Sequence, residues 1–85
     1  MPRLSAFYGI VVYMYVRDHG PPHVHAWYGD DKAVVDLSGA ILAGTLRARQ
    51  AALVREWAAL HETELLLAWQ RASAGEPPGS IEPLP

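Results

Sequence analysis

Three of the four histidines of this 85-residue chain fall in one segment, D-H-G-P-P-H-V-H-A, at residues 18–26. Histidine readily ligates metals and transfers protons near neutral pH. The two prolines fix two φ angles and so restrict the turn that precedes His23. Because residues i and i+2 of a strand share a face, His23 and His25 are predicted to point the same way. The sequence places any chemical or binding site here.

A metal site is one interpretation of this segment. Two imidazoles on one face can chelate Zn²⁺ or a similar divalent metal at about 2.0–2.1 Å. A third ligand is needed, and His19, Asp18 and Asp36 lie within predicted reach. The candidate metal ligands are therefore His19, His23 and His25, and no cofactor is more strongly indicated than zinc.

A metal-free aromatic surface is the competing interpretation. Tyrosine, tryptophan and histidine side chains together can bury against a partner or stack on a base. The candidate binding residues are Tyr13, Tyr15, His19, Pro21, Pro22, His23, His25 and Trp27.

Acid–base catalysis is a third interpretation. His25 beside Asp36 would be an oriented base, because the carboxylate fixes the tautomer of the ring. No motif supplies a nucleophile, but a metal-independent ribonuclease needs none from the protein. The candidate catalytic residues are Tyr15, His23, His25 and Asp36.

Composition limits the class of protein. The chain is long enough for one small domain and lacks cysteine, which excludes a disulfide scaffold, a thiolate metal site and a cysteine nucleophile. The net charge is −2, and no basic tract indicates a large phosphate-binding surface, so support for a nucleic-acid partner is weak. The longest apolar run, residues 10–16, is far short of the ~20 residues of a membrane helix. We expect a cytoplasmic protein without a signal peptide or a membrane partner.

Residues 7–44 are rich in β-branched and aromatic side chains. Period-two alternation predicts strands at residues 8–16, 23–28, 32–37 and 40–43. A register with Tyr15 opposite His25, and His25 opposite Asp36, separates two faces of the sheet. The face that needs cover holds Val12, Met14, Val16, Val24, Ala26, Val35 and Leu37. The other face holds Tyr13, Tyr15, His23, His25, Trp27 and Asp36.

Residues 46–73 contain no Gly or Pro and are helical in pattern. A broad apolar stripe at a period of 3.6 supplies the cover for the sheet, and a bend or break is expected near His61. The stripe holds Leu46, Leu53, Val54, Trp57, Ala58, Leu60, Leu65, Trp69 and Ala72. The predicted fold is α+β: an antiparallel β-meander of three to four strands, followed by one long bent helix or two helices packed on one sheet face. Residues 1–75 form the domain, and the Pro-rich tail 76–85 is extended or disordered unless Ile81 and Leu84 anchor it.

Several separated segments carry a family resemblance. They are S-A-F-Y-G-I at 5–10, M-Y at 14–15, the histidine segment at 18–26, Y-G at 28–29, E-W-A at 56–58, L-H at 60–61, E-L-L at 64–66 and I-E-P-L at 81–84. The chain resembles the small bacterial domain-of-unknown-function 4160 family, most distinctively through P-P-H-x-H-A. The resemblance implies a compact α+β protein, often encoded beside another small domain of unknown function, but no catalytic residues.

We therefore expect a small interaction module, part of a two-gene regulatory or toxin–antitoxin-like pair, that uses the histidine and aromatic sheet face. The expected partner is another protein or a second copy of the chain. The alternatives are a small enzyme, either a metal-independent ribonuclease or a metal-dependent hydrolase with the same histidines, and a DNA-binding transcriptional regulator.

Overall fold

A computed structural model describes residues 3–85. Within that range the chain forms one five-stranded antiparallel sheet, with neighbouring strands in chain order, followed by two helices. The strands are β1 (Arg3–Phe7), β2 (Ile10–Tyr13), β3 (His23–Tyr28), β4 (Asp31–Asp36) and β5 (Ile41–Gly44). The helices are α1 (Ala48–Leu60) and α2 (Glu62–Ser73). The α+β prediction is confirmed, but three to four strands was an underestimate.

The first predicted strand, 8–16, is wrong in its bounds because a hairpin turn lies at its start. Tyr8 and Gly9 have φ of +50° and +80°, and the paired residues Phe7 and Ile10 flank them. A two-residue turn with both φ positive is the type I′ turn that matches strand twist. Tyrosine is rarely found in that conformation, so the turn left little signal in the sequence.

The predicted register is displaced, although the predicted faces are correct. Tyr13, not Tyr15, lies opposite His25, and His23, not His25, lies opposite Asp36. In the second hairpin the cause is a two-residue turn that pairs Tyr28 with Asp31, whereas the predicted register would pair Tyr28 with Ala33, two residues later. Both displacements equal two residues, and an even displacement keeps every side chain on its face.

The covered face of the sheet is the core. Val12, Met14 and Ala26 are fully buried there, as predicted. Val16 is an exception, because β2 ends at Tyr13 and leaves this residue in an exposed loop. The buried side chains from both helices that pack into this core are Val54, Trp57, Ala58, Leu65, Ala68 and Ala72.

The predicted break at His61 separates the two helices. His61 has φ −127° and ψ 31°, outside the helical region. It is the C-cap of α1 and the N-cap of α2. Trp57 is completely buried, and its ring centroid lies 5.4 Å from that of Phe7. Leu60 was predicted on the apolar stripe but is 59% exposed, since it lies in the last turn before the break.

The C-terminal segment 76–85 is extended and packs on the domain. The segment has three buried side chains, Pro78, Ile81 and Leu84. Ile81 and Leu84 therefore anchor the tail to the domain. The Ile81 amide donates to the Leu4 carbonyl at 2.7 Å, beside edge strand β1. Trp57 Nε1 donates to the Glu82 carbonyl at 2.9 Å.

Candidate functional site

A carboxylate and two imidazoles meet where the loop before β3 enters the sheet. Asp18 Oδ2 lies 2.8 Å from His23 Nε2 and 3.4 Å from His25 Nε2. One ligand atom of each residue lies within 4.8 Å of the other two. We call Asp18, His23 and His25 the histidine cluster.

The backbone of the preceding loop positions Asp18. Arg17 has a left-handed φ of +55°, and its amide donates to the Ala72 carbonyl of α2 at 2.9 Å. Asp18 Oδ1 accepts the His19 amide at 2.8 Å, which leaves Oδ2 directed at the histidines. The loop is therefore held at one end by α2 and at the other by β3.

The Pro-Pro turn orients the ring of His23. His23 Nδ1 lies 2.8 Å from the Pro21 carbonyl oxygen, which can only accept, so Nδ1 carries a hydrogen. In a neutral ring the lone pair of Nε2 then points at Asp18 Oδ2, which is also an acceptor. A proton on Nε2 or a cation between the two atoms is needed to make that contact favourable.

Asp18 carries a negative charge at neutral pH. Partial burial alone raises the pKa of Asp18, but hydrogen bonds from the His19 amide and with the His23 and His25 rings lower it below its ordinary value. A carboxylate that is ionised at neutral pH beside two imidazoles favours a proton or a metal cation within the histidine cluster.

Aromatic rings surround the histidine cluster on two sides. Tyr15 meets His25 edge to face at a centroid distance of 4.5 Å, and Trp69 of α2 lies 5.2 Å from His23. The His23 side chain is 9% exposed, against 23% for His25 and 27% for Asp18. Access to the histidine cluster is therefore from the side of His25 and Asp18.

Asp36 has a different role from the one the sequence suggested. Its Oδ1 accepts the Ser38 hydroxyl at 2.7 Å, the Ser38 amide at 2.9 Å and the Ala40 amide at 3.0 Å. The Ser38 hydroxyl, followed by the backbone amides, lowers the pKa of Asp36. Val34, not Asp36, lies opposite His25. Asp36 closes the β4–β5 turn, and Asp18 is the carboxylate that meets the histidines.

The remaining predicted residues of the segment lie at its exposed rim. The ring of His19 is outside the histidine cluster, and this residue contributes its backbone amide instead. Pro21 and Pro22 are exposed, and Pro21 acts through its carbonyl. Trp69 was predicted only as a core anchor, because no local pattern links a residue of α2 to the start of β3.

The uncovered side of the sheet carries the predicted aromatic surface. Tyr13, His25 and Val34 lie side by side across β2, β3 and β4, and Val11, Trp27 and Lys32 form the next row. The rings of Tyr13 and Trp27 are 4.8 Å apart, and Lys32 Nζ lies 4.4 Å from the Trp27 ring. We call this surface the open face; its residues are Val11, Tyr13, His25, Trp27, Lys32, Val34 and Ala43.

A shallow depression of about 220 Å³ lies on the open face between His25, Trp27 and strand β5. Its floor is mostly apolar, with Val34 and Ala43 beside the two larger rings. A depression of this size holds one or two side chains of a partner, since larger clefts are typical of small-molecule sites.

Comparison with known proteins identifies a family and little else. The family model described as "Domain of unknown function (DUF4160)" matches residues 9–70, which include the histidine cluster and the whole open face. No curated protein and no solved structure matches the chain. Among residues 3–85, no helix is long and apolar enough to cross a membrane.

Proposed function

The chain belongs to the DUF4160 family of domains of unknown function, and we propose that it is a small interaction module that binds a second protein through the open face. The observation that carries the proposal is a sheet face that holds half-buried Tyr13 and Trp27 rings, beyond the His23 end of the face where Trp69 of α2 packs. Tyrosine and tryptophan are enriched in interfaces because they combine large apolar area with one polar group.

The edges of the sheet favour a partner that adds a strand. The tail covers part of the β1 edge through the hydrogen bond from Ile81 to Leu4. At the opposite edge, every residue of β5 (Ile41–Gly44) is exposed. An exposed strand edge offers unpaired amides and carbonyls to an extended segment of another chain. Side chains of such a segment would reach the depression beside Trp27.

The proposed partner is the protein encoded next to this chain, in a two-gene regulatory or toxin–antitoxin-like pair. The support is the family resemblance together with a surface suited to a protein rather than to nucleic acid. The chain has a net charge of −2, which disfavours a phosphate backbone as its main ligand. We take the pair to act in the cytoplasm, which suits a chain without cysteine.

The test is to co-express the chain with the protein encoded beside it and to measure their affinity by isothermal titration calorimetry. Trp27→Ala should weaken the complex by about 30-fold, which corresponds to the ~2 kcal/mol typical of a central interface residue. The matched control is Leu66→Ala, because Leu66 is 48% exposed but lies on α2. Equal affinities for Trp27→Ala and the parent, with both folded, would contradict the proposal. Sedimentation of the chain alone shows whether a second copy occupies the open face instead.

A further inference from the structure

We propose that Asp18, His23 and His25 form a binding site for a first-row divalent cation of borderline softness, with Zn²⁺ the best fit. This site would bind a cation, whereas the open face is proposed to bind a protein, although His25 contributes to both. The inference therefore does not rest on the proposed partner.

The first support is the geometry of the three donor atoms. A tetrahedral zinc ion with ligands at about 2.0–2.1 Å sets neighbouring ligand atoms about 3.3 Å apart. The Asp18–His25 separation is 3.4 Å, and the Asp18–His23 separation is 2.8 Å. To reach the expected zinc geometry, Asp18, on an exposed loop, must move by about half an ångström, and the two imidazole nitrogens, which lie within 4.8 Å of each other, must come to about 3.3 Å.

The second support is the orientation of His23. Histidines that ligate metals almost always donate their other ring N–H to a carboxylate, a backbone carbonyl or water. His23 Nδ1 donates in this way to the Pro21 carbonyl at 2.8 Å, and Nε2, which faces Asp18 Oδ2, is left as the ligand atom. The stiff Pro-Pro turn holds that carbonyl in place. This contact would orient His23 for a metal before any metal binds.

The donor set selects the class of cation. Imidazole nitrogens favour zinc, cobalt, nickel and copper, whereas magnesium and calcium prefer oxygen ligands. One carboxylate beside two neutral imidazoles offsets half of the charge of a divalent ion. Three protein ligands leave a fourth position for water or a substrate atom, as in catalytic zinc sites, and this position faces the exposed side of the histidine cluster.

The alternative is that a proton on His23 Nε2, and no metal, bridges His23 and Asp18. The two cases are separated by titrating untagged protein with Zn²⁺ by calorimetry and with Co²⁺ by visible absorption at neutral pH. A metal site predicts one equivalent of Zn²⁺, tetrahedral cobalt bands and no competition from excess Mg²⁺. The absence of stoichiometric Zn²⁺ and Co²⁺ binding by folded protein would overturn the proposal.

Variants locate the ligands. His25→Ala and Asp18→Asn should each weaken Zn²⁺ binding at least about tenfold, since each removes a direct ligand. His19→Ala is the matched control, because its ring is exposed in the same segment but lies outside the histidine cluster. Equal losses for His19→Ala and His25→Ala would show that the metal binds the loop unspecifically. The Trp27→Ala variant should bind Zn²⁺ like the parent, because Trp27 is not one of the three ligands. The metal-binding result is therefore independent of the partner proposal.

Discussion

Deletion of residues 76–85 should remove a large part of the stability of the domain. The deletion takes Ile81 and Leu84 out of the core, and burial of each contributes about 1.5–3 kcal/mol. It also leaves the buried Trp57 Nε1 without the Glu82 carbonyl, which costs about 1–3 kcal/mol. The expected loss is about 4–9 kcal/mol, against a total of about 5–15 kcal/mol for a domain of ordinary stability.

Urea denaturation followed by tryptophan fluorescence and circular dichroism measures this loss. Single substitutions in the tail give a finer test. Leu84→Ala should lower the free energy of unfolding by about 2–5 kcal/mol. Ser80→Ala, at an exposed position of the same segment, should change it by no more than about 0.5 kcal/mol. Unfolding of the shortened chain at the same urea concentration as the parent would show that the tail does not belong to the core.

Four further predictions follow from single contacts. Trp57→Ala should lower the free energy of unfolding by about 3–5 kcal/mol, measured by urea denaturation, because the ring is completely buried. Asp36→Ala should cost about 1–3 kcal/mol in the same assay, since it removes the acceptor of the β4–β5 turn. The pKa values of Asp18 and Asp36 are lowered from 3.8, so their stabilisation is present above that pH and is lost as the pH falls below it. Acid unfolding of Asp18→Asn should therefore depend less steeply on pH below about 3.8 than that of the parent. Gly39→Ala should lower the melting temperature, because the added Cβ would lie 2.6 Å from Arg55 Cα at a φ of +94°.

The sequence predicted which side chains face the core, but it did not predict the pairing of the strands. Alternation across Val12 and Val24 and the helical spacing of Trp57 are local signals, and the structure confirms all three as buried. Register depends on turns, and the two-residue turn between Tyr28 and Asp31 set the pairing of β3 with β4. Tyr8 in a left-handed conformation gave no usable signal for the hairpin before β2. The additional strand β1 was missed for the same reason.

The histidine cluster, too, could be predicted only where local sequence patterns determine it. His23 and His25 on one side of β3 follow from period two, and their rings lie 5.2 Å apart. The choice of Asp18 over Asp36 depends on how the loop before β3 folds back. That path depends on the bond from Arg17 to Ala72 of α2, a contact across 55 residues of sequence that no local pattern encodes.

Hydrogen–deuterium exchange of the chain, alone and with the protein encoded beside it, tests the interaction proposal most directly. Slower exchange of the β5 amides (Ile41–Gly44), together with weaker binding by Trp27→Ala, is the predicted result. Protection confined to α2 (Glu62–Ser73), or no change in exchange at saturating partner, would contradict the assignment of the open face as the binding surface.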